Sequence, residues 1–169
     1  MPRIARGGLL ATNLTMVPFL TKINQLEQGM EIRLTWTGGA AFVGQTQSGH
    51  KIIMDGPPEG GGRDLGPRPM ETLLLGMGAC TSYDVVSILK KSRQDIRDCR
   101  VDVTAKRADE DPKVFTEIHI HFTLIGRDIG EKQVQRAIDL SAEKYCSASI
   151  MLGKTAKITH SFEIRQSAD

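Results

Sequence analysis

The succession of hydropathy patterns along the chain predicts an α+β protein. Three observations carry this. Short segments of strict apolar–polar alternation occur before and after one long apolar segment with helical spacing. That segment, residues 70–91, is too long for a strand. The implied order, βββ-α-ββ-αα-β, lacks the regular βαβ alternation of a parallel sheet.

Residues 31–36 alternate, with Ile32, Leu34 and Trp36 on one face of a strand expected to be half-buried. Gly38-Gly39 marks a turn into a second strand at 41–46, and Ser48-Gly49 turns into a third at 50–55. Residues 56–69 concentrate glycine, proline and charge, as a loop does. Pro69 suits the first position of a helix and Glu71 its first turn. The helix continues to about Lys91, with Leu73, Met77, Cys80 and Asp84 along one stripe. Leu74, Val85 and Leu89 make it apolar over much of its circumference, which predicts burial. Residues 100–106 alternate with Val101, Val103 and Ala105 inward. A turn at 108–112 leads to a longer strand at 114–124. There Ile118, Ile120 and Phe122 share one face, and His119 and His121 the other. Asp128 and Glu131 have capping-box spacing. The next helix places Val134, Ile138 and Tyr145 toward the core and reaches Cys146. Ser147 is positioned to cap a further short helix that Gly153 ends. Residues 158–164 form the last alternating strand.

The chain has 169 residues, 40% hydrophobic and 25% charged, with a formal net charge of +2. These values suit one globular domain and give no pull toward nucleic acid or an anionic membrane surface. No apolar run approaches the roughly 18 residues needed to suggest a membrane span, so no membrane association is expected. Residues 1–29 carry early basic residues and a proline-interrupted apolar stretch without a secretory cleavage pattern. They are set apart as an N-terminal extension, with Met30 an alternative start. The domain is assigned to 30–166. Without an export signal, the expected setting is the cytoplasm.

Three cysteines do not make a disulfide framework, so thiol chemistry in a reducing compartment would be reactive rather than structural. Cys80 lies midway along the apolar helix, where a thiol can simply pack as a small hydrophobe. Gly76 and Gly78 precede it by one turn. They cost helix stability, about 1 kcal/mol each relative to alanine, unless another group must come close. Asp84, one turn later, could orient a partner but would raise a thiol pKa. Cys146 lies where one helix ends and another begins. Backbone N–H groups there favour a thiolate, and core packing is the alternative. Cys99, beside Asp98 and Arg100, reads as structural. His119 and His121 could serve as two metal ligands, but no third is identifiable by spacing, so an ordinary sheet face is expected. The glycine-rich 59–63 matches neither GxxxxGK[ST] nor GxGxxG, and GxSxG, HExxH and CxxC are absent. No cofactor and no metal is expected.

The segment Pro67-Arg68-Pro69-Met70-Glu71-Thr72-Leu73-Leu74-Leu75-Gly76-Met77-Gly78-Ala79-Cys80 resembles the central helix of the OsmC/Ohr superfamily. Leu140-Ser141-Ala142-Glu143-Lys144-Tyr145-Cys146-Ser147 is similar to the segment holding that family's second cysteine, here 66 positions after the first. Thr81-Ser82-Tyr83-Asp84-Val85-Val86 and Ile158-Thr159-His160-Ser161-Phe162 look most like its YhfA-like subgroup. The resemblance implies an OsmC-like fold, with antiparallel sheets wrapped around long central helices in an intertwined homodimer whose sites lie at the subunit interface. It also implies a thiol-dependent peroxidase. Cys80 would attack an organic hydroperoxide, Cys146 would resolve the sulfenic acid as a disulfide, and a dithiol would reduce it. The family arginine of the early hairpin loop has no counterpart in residues 37–42. The family glutamate falls at Met70, with Glu71 better placed to stabilise the helix start. Arg63 or Arg68 in the preceding loop could substitute for the missing cation, although the expectation is against it. A non-catalytic small-molecule-binding or redox-sensing protein is therefore the alternative.

Overall fold

The computed structural model describes residues 29–167; the N-terminal extension, apart from Gly29, lies outside them. Strands β1 (Ile32–Trp36), β2 (Phe42–Thr46) and β3 (Lys51–Met54) form an antiparallel meander in the order β1-β2-β3. Helix α1 (Pro69–Lys91) follows, then β4 (Asp95–Arg107), β5 (Phe115–Arg127), α2 (Glu131–Leu140), α3 (Ser147–Leu152) and β6 (Lys157–Gln166). The second sheet has the order β4-β5-β6, antiparallel between β4 and β5 and parallel between β5 and β6. The α+β expectation holds, and β4 is longer than the alternation suggested, so that Cys99 lies within it.

The turn between β1 and β2 closes because Gly38 and Gly39 adopt φ of 99° and 57°. A Cβ on Gly39 would lie 2.6 Å from the Gly61 carbonyl oxygen, so this loop packs tightly on the one preceding α1. That second loop is organised by Asp55, which is 1% exposed. Its carboxylate accepts N–H donors from Gly56 (2.8 Å), Arg63 (2.9 Å) and Leu65 (3.3 Å). The chain then enters α1 through Pro69, and Glu71 Oε2 accepts the Arg68 N–H at 2.9 Å, as its first-turn position suggested. Lys90 and Lys91 complement the C-terminal end of the helix dipole.

The core lies between the inner face of β4-β5-β6 and the helices. Met77, Val85 and Leu89 of α1 meet Ile118, Ile120, Phe122 and Leu124 of β5 and Val134 and Ile138 of α2. Gly78 has a packing reason, since a Cβ there would lie 3.2 Å from Val103 Cγ2; Gly76 has none among the described residues. By length and composition α1 could also cross a bilayer, with 23 residues and a hydropathy of 1.4. This corrects the expectation that no segment would qualify, although a buried core helix passes the same test.

Four further expectations are corrected. Ile32, Leu34 and Trp36 are 63%, 55% and 65% exposed, because the β1-β3 meander forms its own sheet with no helix over that strand. Ala105 is exposed near the end of β4. Asp128 does not cap α2: it takes φ of 50°, and Gly130 is the N-cap, its N–H held by Gln94 Oε1 at 2.8 Å. Finally, α2 does not run regularly to Cys146. It widens into a π turn over Ser141–Tyr145, which rotates Tyr145 outward to 50% exposure and leaves Cys146 buried.

Candidate active site

Two chain segments 66 residues apart meet at one point. The sulfurs of Cys80 and Cys146 and a carboxylate oxygen of Asp84 all lie within 4.8 Å of one another. Cys80 and Asp84 share a face of α1 because they are four residues apart. Cys146 arrives from the end of the π turn, where its N–H donates to the Ser141 carbonyl at 2.8 Å. Cys80 is partly exposed and Cys146 fully buried, and both thiols are free.

A buried hydroxyl relay fastens the two segments. Thr81 Oγ1 and Ser141 Oγ are 3.0 Å apart, and Ser141 Oγ–H donates to Asp84 Oδ2 at 3.2 Å. On the far side, the N–H of Ser149 (3.4 Å) and its Oγ–H (3.2 Å) both point at Cys146 Sγ. Cys146 is thus itself the cap of α3, where Ser147 was expected to be.

The surroundings of Cys80 raise its pKa. Burial pushes Cys80 above its ordinary value. Cys146 pushes it the same way and Asp84 adds to it, while the Ala148 backbone N–H opposes them.

The other candidates lie elsewhere. Arg68 is paired with Glu71 (3.4 Å) and Asp64 (3.7 Å) at the start of α1. That is about 18 Å along the helix axis from Cys80 at 1.5 Å per residue. Arg63 serves the Asp55 loop, where its charge lowers the Asp55 pKa. The groups that shift Cys80 are Cys146, Ala148 and Asp84, so neither arginine stands as the substitute cation among the described residues. Cys99 is half-buried against the core, and burial with Asp98 raises its thiol pKa, in keeping with a structural role.

His119 bonds Thr159 Oγ1 (2.8 Å) and Ser161 Oγ (2.9 Å), and His121 bonds Ser161 Oγ at 2.7 Å. The imidazoles are thus tied to β6 hydroxyls, as an ordinary sheet face requires. A groove of about 400 Å³ runs between α1 and β4, lined by Leu74, Leu75, Ala79, Ser82, Val101 and Val103. Neither sulfur lines it.

Residues 60–161 match the family model described as OsmC-like protein. The chain belongs to the OsmC family. It is 49% identical to Protein YhfA of Escherichia coli over 135 residues, 80% of this chain and 98% of that one. A hypothetical protein from Aquifex aeolicus VF5 has a similar structure, at 32% identity and a TM-score of 0.73, covering 83% of this chain and 99% of that one. The same fold, at 14% identity and a TM-score of 0.61, occurs in an organic hydroperoxide resistance protein OsmC from Legionella pneumophila, covering 81% and 98%. That protein is also described as a predicted redox protein and regulator of sulfide bond formation.

Within this OsmC family chain, the sequence reading missed Thr81, Ser141 and Ser149. A signal for Ser141 was present. It continues the core-facing line of Val134 and Ile138 at three-residue spacing, and a hydroxyl on that line needs a buried partner.

Proposed function

We propose that this OsmC family protein is a thiol-dependent peroxidase acting on organic hydroperoxides, with Cys80 as the attacking thiol and Cys146 as the resolving one. The observation that carries the reading is the approach of the two sulfurs to within 4.8 Å, one reachable from solvent and one buried. Cys80 thiolate attacks the terminal peroxide oxygen, the O–O bond breaks, and the alcohol leaves after taking a proton. The sulfenic acid then condenses with Cys146, releasing water and forming a disulfide. The donors from Ser149 hold Cys146 Sγ in position for that second step. A small dithiol regenerates the pair by exchange, in the reducing setting of the cytoplasm. The hydroperoxide resistance described for the Legionella pneumophila relative is in keeping with this chemistry.

The proposal includes a homodimer. Leu73, Leu75 and Tyr83 of α1 are 50%, 60% and 76% exposed, as is the apolar face of β1. A second copy covering these surfaces would bury them and bring to Cys80 a cation that the described residues of one chain do not place there.

One stoichiometric equivalent of an alkyl hydroperoxide should remove two hydrogens from the reduced protein, reversibly by dithiol. Cys80→Ser should abolish consumption, and Cys146→Ser should trap a sulfenic acid on Cys80. A Cys80→Ser protein that consumes hydroperoxide at the wild-type rate would defeat the reading. Light scattering should give twice the chain mass.

A redox-sensing or ligand-binding role is the second reading, favoured by the raised Cys80 pKa and by the apolar groove beside α1. It predicts turnover no faster than that of a free thiol.

A further inference from the structure

The Cys80, Asp84 and Cys146 cluster brings together three groups that each become anionic, and among the described residues Asp84 makes no ion pair. Its polar partner is the Ser141 hydroxyl. Two sulfurs and one carboxylate oxygen within 4.8 Å of one another are the donor set of a soft-to-borderline divalent ion rather than of magnesium or calcium.

We propose that the reduced protein holds one zinc-class divalent cation per chain, ligated by Cys80 Sγ, Cys146 Sγ and one oxygen of Asp84. Tetrahedral zinc with bonds of about 2.3 Å to sulfur and about 2.1 Å to oxygen places its donors about 3.6–3.8 Å apart. From separations of at most 4.8 Å, the donors need to close by at most about 1 Å.

The surroundings match what metal ligands require. Ser141 Oγ–H holds Asp84 Oδ2, and Ser149 N–H and Oγ–H hold Cys146 Sγ. Each of these two ligands therefore has a hydrogen-bond donor orienting it from outside. Cys80 is partly exposed, so the ion has an entry path and a fourth position open to water. Two thiolates and a carboxylate carry three negative charges, and a dication in their midst stabilises all three. His119 and His121 are committed to β6 hydroxyls, which leaves this cluster as the better metal candidate.

The site does not depend on peroxide turnover, and it can be tested without any hydroperoxide. Bound ion and Cys80–Cys146 disulfide exclude each other, since oxidation to the disulfide removes both thiolates that would ligate the metal.

The experiment titrates Co²⁺, a coloured substitute for zinc, into the reduced, metal-free full chain under anaerobic conditions. One equivalent should produce a thiolate-to-cobalt charge-transfer band, and Zn²⁺ should displace the cobalt and abolish it. Cys80→Ser and Cys146→Ser should each remove about half of the band. Asp84→Asn should keep it but weaken cobalt binding at least tenfold. Cys99→Ser should leave both unchanged, and the diamide-oxidised protein should bind none. Far-UV circular dichroism checks that each variant is folded. A band that survives loss of both Cys80 and Cys146, or one that needs Cys99, overturns the proposal. So does reduced wild-type protein that gives no band.

Discussion

Replacing Asp84 by asparagine keeps the side chain's shape and removes one negative charge from beside Cys80. The distance is at most 4.8 Å. A unit charge there is worth about 0.9 kcal/mol in a water-like medium and about 3.5 kcal/mol at an effective dielectric constant of 20. Cys80 is partly open to solvent, and burial and Cys146 raise its pKa more than Asp84 does. The low end therefore applies, and about 0.9 kcal/mol is about a fourfold change in thiolate fraction.

The sign follows from the direction of the shift. A thiol whose pKa is raised by burial is mostly protonated at pH 7, so its alkylation rate at neutral pH scales directly with the thiolate fraction. Asp84→Asn should make Cys80 react with iodoacetamide about four times faster at pH 7. Its pH–rate profile should move to lower pH, and the two proteins should converge in strong alkali. Peptide mass spectrometry of metal-free protein resolves Cys80 from Cys99 and Cys146. An unchanged or slower rate at Cys80, with the fold intact, would show that the carboxylate does not act on the sulfur as its position requires.

Three further outcomes follow from the geometry. Ser141→Ala leaves Thr81 Oγ1 and Asp84 without their shared partner and should cost about 1–3 kcal/mol, read as a Tm lower by several degrees. Asp55→Asn tests the loop before α1. Burial alone would raise the Asp55 pKa, but the N–H groups of Arg63, Gly56 and Leu65 and the Arg63 charge hold it below 3.8. Its contribution is therefore complete above about pH 4 and lost as pH falls through the lower folded value, so denaturant titrations of wild type and variant should differ at pH 7 and converge at acid pH. Phe122→Ala removes a fully buried ring facing α1 and should destabilise the chain by about 3–5 kcal/mol in urea unfolding.

Much of the fold was legible because its elements announce themselves locally. The alternation of 31–36, the paired glycines at 38–39 and the proline entry to α1 each act over a few residues. The thiol pair was not derivable in that way. Nothing local in the sequence says that Cys80 and Cys146 meet; the resemblance to a family supplied that expectation.

Where the reading failed, a competing local geometry or a distant side chain won. Asp128 had the spacing of a cap, but Gln94 from the neighbouring turn satisfies the N–H of Gly130 instead. Tyr145 lay on the core line of a regular helix, and the π turn displaced that line. Cys146 was not anticipated as a cap because sulfur is a poor acceptor, and Ser147 beside it is the usual choice.

The parallel pairing of β5 with β6 bears on the order in which the protein is built. An antiparallel neighbour can zip up through a tight hairpin. A parallel one must wait for the intervening chain to cross the sheet, and here that crossing segment carries Cys146. During synthesis from the N-terminus, the helix with Cys80 emerges long before β6 can dock and hold the crossing in place. The first thiol is thus made early, well before its companion leaves the ribosome.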